Sequence, residues 1–141
     1  MLNLEFKEQD YDDAIEELVG TEFRKYAAKN GVVCDYTSFY FVAKQDDAVI
    51  GALTGYSYYQ EVYIGDLIVL EPYRKMHIGS QLVDAVEHHF KDKGFKHISL
   101  CTFHFQALDF YQKHGYQVEF VREDVNNPKL TKYFLIKYFN S

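Results

Sequence analysis

The sequence predicts a mixed α/β fold of the α+β kind: a mostly antiparallel sheet with a central parallel β-α-β crossover and flanking helices. Three observations predict it. Strand-like runs at residues 39–45 and 48–59 flank Asp46-Asp47, a hairpin signal. The apolar run 62–70 leads through Glu71-Pro72 into a helical pattern at 77–93 and then a strand at 96–103, so those two strands run parallel. A short helical segment, 106–114, stops at Gly115 and is followed by two more strands, 116–122 and 132–138.

The remaining elements follow in order. Residues 2–6 alternate as a short strand would. Residues 10–30 read as a helix with an acidic first turn (Asp10, Asp12, Asp13) and an apolar face through Ile15, Leu18, Val19, Phe23 and Tyr26, ended by Asn30-Gly31. Gly51 and Gly55 inside a strand mark bulges or close backbone approach. In the helix 77–93, Ile78, Leu82, Val83, Val86 and Phe90 share one face, and Lys91, Lys93 and Gly94 suit a C-terminus. No repeat, low-complexity stretch or linker divides the 141 residues, so one domain is expected.

Composition excludes several classes. Hydrophobic residues make up 48%, which argues against disorder, and no apolar run is long enough to span a bilayer. Residues 1–7 lack the basic-then-apolar layout of a signal peptide, which gives a cytoplasmic expectation. Cys34 and Cys101 have no metal-ligand spacing, and His88-His89 are adjacent on a helix and point different ways, so no metal site is expected. A formal net charge of −6 argues against nucleic-acid binding, which depends on neutralising phosphates. Arg74, Lys75 and His77 nevertheless cluster within four residues, a local basic spot suited to a small anion.

That spot lies where a strand turns into a helix: Leu67-Ile68-Val69-Leu70-Glu71-Pro72-Tyr73-Arg74-Lys75-Met76-His77-Ile78-Gly79-Ser80. Backbone N–H groups at a helix start have no intrahelical partner and attract an anion. Gly79 admits close approach, Ser80 adds a hydroxyl, and Arg74 and Lys75 add charge. The segment is neither a Walker loop nor a three-glycine dinucleotide fingerprint. On its own it also reads as a plain basic helix start after a proline turn.

The segment resembles the cofactor motif of the GNAT superfamily of N-acetyltransferases, (Arg/Gln)-x-x-Gly-x-(Gly/Ala). Arg74 and Gly79 match, and His77 stands where the first glycine is usual. A second stretch, His104-Phe105-Gln106-Ala107-Leu108-Asp109-Phe110-Tyr111-Gln112-Lys113-His114-Gly115-Tyr116, resembles the family's Asn-x-x-Ala-x-x-x-Tyr-x-x-x-Gly-Phe. Ala107, Tyr111 and Gly115 match in register, while His104 replaces Asn and Tyr116 replaces Phe. The run Phe103-His104-Phe105-Gln106-Ala107 is similar to one bacterial branch of the superfamily.

The resemblance implies a single N-acetyltransferase domain over 1–141 that moves an acetyl group from acetyl-CoA to a primary amine by direct attack. It implies that the pantetheine pairs with the backbone of Leu67, Ile68 and Val69 between two splayed parallel strands. The pyrophosphate would sit on Arg74, Lys75, Met76, His77, Ile78, Gly79 and Ser80. Tyr111 becomes the candidate acid for the departing thiolate, and Asp66 and His104 rank level as candidate bases, with Glu61 also near the acceptor side. A non-catalytic acetyl-CoA sensor on the same fold, or a longer acyl donor, stays open as an alternative. Aromatic residues, with 13 Tyr and 12 Phe, crowd the hairpin 56–63 and residues 103–116. These walls point to a small-molecule or peptide amine as acceptor. A monomer or a homodimer, with no membrane or nucleic-acid partner, completes the expectation.

Overall fold

The protein is described from a computed structural model covering residues 1–139. By contacts the chain divides into two compact units, Met1–Asp35 and the part from Tyr36 onward.

The first unit holds one helix, α1 (Asp13–Lys29). Asp12 caps it, its carboxylate accepting from the Ile15 N–H at 3.0 Å, as the acidic start predicted. Asn30 closes the other end through its N–H to the Ala27 carbonyl, and Gly31 follows with φ 72°. Residues 2–6 form no strand, contrary to the expectation from their alternation. Alternation shows only that a segment could present two faces. A strand exists when a ladder partner satisfies its backbone, and these residues join none.

The second unit is a six-stranded sheet in the order β1-β2-β3-β4-β6-β5, with helices α2 and α3. The strands are β1 (Thr37–Gln45), β2 (Ala48–Tyr58), β3 (Glu61–Val69), β4 (His97–Phe103), β5 (Gln117–Arg122) and β6 (Lys132–Tyr138). The helices are α2 (Ile78–Phe90) and α3 (Leu108–Lys113). All pairings are antiparallel except β3 with β4, which is the predicted crossover through α2. Both residues of the Asp46-Asp47 turn have positive φ, 50° and 71°, as a two-residue hairpin with the sheet's twist requires. Tyr59-Gln60 repeats the device between β2 and β3, with φ 48° and 67°.

The core lies between the sheet and α2. Leu82, Val83, Val86 and Phe90 bury one face of the helix against Leu53, Val62, Ile64, Ile98, Leu100 and Leu135. The helix stops at Phe90, before the predicted Lys93, because Lys91 is extended and Asp92 turns to φ 61° ahead of Gly94. Gly55 shows why a strand interior carries glycine. A Cβ there would strike the Tyr63 carbonyl and lie 2.6 Å from Phe39 Cζ. Gly55→Ala is therefore expected to cost about 2–3 kcal/mol in a urea unfolding titration.

Tyr116 occupies the position where the second motif usually has Phe. It is 3% exposed, and its hydroxyl is buried without a hydrogen-bond partner among the described residues. Burial, and then the nearby Glu87 carboxylate, push its phenol upward from its ordinary pKa. Removing an orphaned buried hydroxyl relieves its desolvation cost. Tyr116→Phe is expected to raise stability by about 1 kcal/mol, read as a higher urea midpoint at unchanged slope.

Candidate functional site

Two features of β3 open a gap beside it. The ladder with β4 covers only Glu61↔His97, Val62↔Ile98 and Tyr63↔Ser99. Beyond that point β4 stays paired with β6 as far as Phe103, while β3 bends away. The bend has a local cause: Thr54 pairs with Asp66 and Gly55 with Ile64, so Gly65 is an extra, unopposed residue. A bulge of this kind kinks its strand. Residues 64–69 are thus left with an edge that no strand covers.

Alternation tells which groups face that edge. Leu70 N–H donates to the Ile50 carbonyl at 2.9 Å, on the β2 side. The backbone of Ile68 points the same way, and that of Leu67 and Val69 points into the gap. The Val69 carbonyl is met there by Arg74 Nε at 2.9 Å. The N–H groups of Leu67 and Val69 and the carbonyl of Leu67 remain available. Of the three residues expected to pair with a ligand backbone, Ile68 is therefore turned toward β2.

The turn after β3 is built for the close of this gap. Glu71–Tyr73 is one turn of 3-10 helix, set by Pro72. Lys75 and His77 then adopt left-handed backbone, φ 75° and 61°. His77 caps α2, and the first intrahelical bond is Gln81 N–H to the His77 carbonyl at 3.1 Å. The N–H groups of Ile78, Gly79 and Ser80 precede that bond and have no partner within the helix. His77 pays for a conformation that suits glycine, the residue usual here. His77→Gly is expected to raise stability by about 0.5–1 kcal/mol in a thermal melt.

A cavity of about 680 Å³ lies over this turn. Its walls include Leu67, Ile68, Val69, Arg74, Lys75, His77, Ile78, Gly79 and Ser80, all but one of the residues expected to hold the cofactor. Met76 is the exception; it is exposed and does not line the cavity. Tyr73, Phe105, Gln106, Ala107 and Phe110 complete the lining. The last four come from the turn after β4 and from α3, held by Gln106 Oε1 accepting the Phe103 N–H and Thr102 Oγ1 accepting the Ala107 N–H. No acidic side chain lines the cavity, although the chain is acidic overall. Two cations and a helix start without a compensating carboxylate favour an anion.

The candidate catalytic residues lie around this cavity rather than on its walls. Tyr111 follows Phe110 in α3 and is 6% exposed, its ring packed against those of Phe110 and Tyr116. Burial pushes its phenol up to about 12. Its hydroxyl makes no hydrogen bond among the described residues. Asp66 stands on β3 just past the bulge, exposed, with Oδ2 accepting from Thr54 Oγ1 at 3.2 Å and its N–H donating to the same oxygen. His104, in the turn after β4, is exposed, and its Nδ1 lies 3.3 Å from the Tyr133 hydroxyl. Glu61 lies at the paired end of β3, 3.1 Å from His97 Nε2, at the end of the strand away from the cavity.

The structure also assembles a group that sequence reading did not connect. Ser80 Oγ lies 3.0 Å from His114 Nε2, and His114 Nδ1 lies 3.3 Å from Asp84 Oδ1. No group of three or more His, Cys, Asp or Glu residues placed to hold a metal occurs among the described residues. No helix among them is long and apolar enough to cross a membrane.

Comparison with known proteins places this geometry. The sequence profile of the Acetyltransferase (GNAT) family matches residues 3–116. The chain is 36% identical over 69 residues to the uncharacterized protein YyaT of Bacillus subtilis (strain 168), spanning 47% of this chain and about half, 46%, of that protein. Among solved structures, an acetyltransferase from Bacillus cereus ATCC 14579 superposes with a TM-score of 0.73 at 26% identity, covering 95% of this chain and 98% of that one. A structure from Bacillus anthracis str. Ames in complex with acetyl coenzyme A shares the fold, with a TM-score of 0.64 at 21% identity over 73% of this chain and 63% of that one.

Proposed function

The chain belongs to the GNAT acetyltransferase family, and from that premise we propose that it transfers an acetyl group from acetyl-CoA to a primary amine in a ternary complex. The observation that carries this is the continuity of the gap beside residues 64–69 with the cavity over the start of α2. One end offers free backbone N–H and C=O groups to an extended amide-bearing chain. The other offers N–H groups and cations to a diphosphate.

The residues fit the cosubstrate on those grounds. Leu67 and Val69 would hold the pantetheine as an added strand, and Ile78, Gly79 and Ser80, with Arg74 and Lys75, would hold the pyrophosphate. Bound acetyl-CoA supplies an activated thioester carbonyl. A backbone N–H on the open edge of β3 would polarise that carbonyl as the amine attacks. Tyr111 keeps its proton at neutral pH and would give it to the departing thiolate. Asp66, on the strand beside the gap, remains the nearer of the candidate bases to the bulge, and His104 the nearer to the cavity's second wall. The expectation of one N-acetyltransferase domain belongs to the same proposal; the family match running from residue 3 to 116 supports it.

The test is release of free CoA thiol from acetyl-CoA across a panel of primary amines, including polyamines, aminoglycosides and lysine peptides. Amine-dependent release above the rate without acceptor supports transfer. Saturable binding of acetyl-CoA with no release on any amine would favour a sensor.

A further inference from the structure

We propose that Lys132 and Arg122 bind an acidic group, carboxylate or phosphate, carried by the acceptor itself, so that the chain acetylates small amines that also bear a negative charge. The inference rests on the transfer reading above and narrows its substrate class.

The register places the two cations side by side. Phe103 of β4 pairs with Lys132 of β6, and Lys132 pairs with Arg122 of β5. In the next row Cys101 pairs with Phe134, and Phe134 with Phe120. Like charges directly opposite one another in an antiparallel pair repel. Both cations are also held to one ring: Lys132 Nζ stands 5.1 Å and Arg122 Cζ 5.2 Å from the Phe134 centroid. Lys132 Nζ is 5.8 Å from the Phe103 centroid as well. Aromatic faces steady a cation but carry no counter-charge. Glu123 and Asp124 follow Arg122 in the chain, yet neither cation is paired with a carboxylate among the described residues. Asp124 turns into its own loop, where Oδ1 accepts from the Asn126 and Asn127 N–H groups at 3.1 and 3.0 Å. An anion held between Lys132 and Arg122 would offset their repulsion.

Face and position tie this pair to the acceptor rather than to the cosubstrate. Leu100 and Leu135 belong to the core under α2, so by alternation Phe103, Lys132 and Phe134 lie on the opposite face of the sheet. Asp66 shares that face, because it bonds Thr54, the neighbour of the core residue Leu53. The β3–β4 ladder ends at Tyr63↔Ser99, and Phe103 lies about 13 Å further along β4, beside the gap. Phe103 stacks on Phe105, centroids 6.2 Å apart, and Phe105 lines the cavity. The two sides of the gap thus differ in charge. Residues 48–69, which include β2 and β3, carry Glu61 and Asp66 but no Lys or Arg. The other side offers Lys132 and Arg122. An ammonium is drawn to the first and an acid to the second, which orients a molecule that carries both.

The experiment compares kcat/KM for an amino acid with that for the amine left when its carboxylate is removed: lysine with cadaverine, and tyrosine with tyramine. Phosphoethanolamine against ethanolamine supplies the phosphate arm, and the arm that shows the larger preference identifies the acid. The wild type is expected to prefer the acid-bearing member about 100-fold, mostly through KM. Lys132→Gln and Arg122→Gln should each reduce that preference about tenfold, and the double variant should abolish it. Lys132→Arg keeps the charge and should keep the preference, which separates charge from packing on Phe103 and Phe134. No preference in the wild type, or a preference that survives in the double variant, would overturn the inference while leaving acetyl transfer intact. A rise in the KM for acetyl-CoA in place of the acceptor's would assign the pair to the cosubstrate and overturn it too. No turnover of any amine would overturn both.

Discussion

Tyr111→Phe is expected to lower kcat by about 100-fold while leaving the dissociation constant for acetyl-CoA and the fold nearly unchanged. The separation of effects follows from where the hydroxyl is. The ring is core, packed beside Phe110 and Tyr116, and phenylalanine keeps those contacts. The hydroxyl has no protein partner among the described residues, so its loss breaks no internal bond. What is lost, on the proposed mechanism, is the proton for the thiolate. Burial holds that phenol up to about 12, so it remains protonated through the working range. The wild-type kcat/KM is therefore expected to rise with pH as the amine loses its proton and to show no alkaline fall due to Tyr111 below about pH 11.

The same burial makes a stability statement with a definite sign. The folded phenol holds its proton more tightly than the unfolded one, whose value is the ordinary 10.0. Below that value both forms are protonated and the contribution of burying the neutral group is intact. Above it the unfolded chain ionises first, and stability falls as pH rises toward about 12, by about 2–3 kcal/mol from this group. The burial-driven rise at Tyr63 and at Tyr116 acts in the same direction. A urea titration repeated through this alkaline range checks the slope.

Gly79→Trp is expected to weaken acetyl-CoA binding by more than about 100-fold, with the circular dichroism spectrum unchanged. Gly79 is the second position of α2 and faces Phe110 across the cavity, where an added Cβ would stand 3.5 Å from Phe110 Cζ. One carbon fits at that distance. Gly79→Ala is therefore expected to bind nearly as the wild type does, which matches a motif that ends in glycine or alanine. An indole at the same place fills the space over the free N–H groups of Ile78, Gly79 and Ser80. The pair of variants separates steric closure from a general intolerance of change.

Much of the second unit was legible because its signals are local. Asp46-Asp47 needed only two residues that tolerate positive φ between two alternating runs. The crossover needed only the change from strand to helical periodicity and back across Pro72 and Gly94. The turn proposed to hold the cofactor carries a motif that can be read locally, and nine of the ten residues expected there, from Leu67 to Ser80, line one cavity. What stayed hidden depends on partners. Residues 2–6 carry a strand's alternation without a ladder. Gly51 and Gly55 mark irregularities on β2, and the ladders shift register beside both, but the extra residue that opens the gap is Gly65 on β3, and a bulge is a property of two strands in register. The second wall of the cavity lies in the second motif, residues 104–116, and in the aromatic crowding of residues 103–116, although neither signal says that it faces the first motif. Ser80 and His114 are 34 residues apart, and nothing in either neighbourhood announces the other.

Calorimetric titration of the wild-type protein with acetyl-CoA tests the central claim most directly. Saturable binding at a single site is predicted, with His77 in its left-handed turn leaving the N–H groups beyond it open to the pyrophosphate. A folded protein that shows no binding with acetyl-CoA at about millimolar concentration would contradict the account.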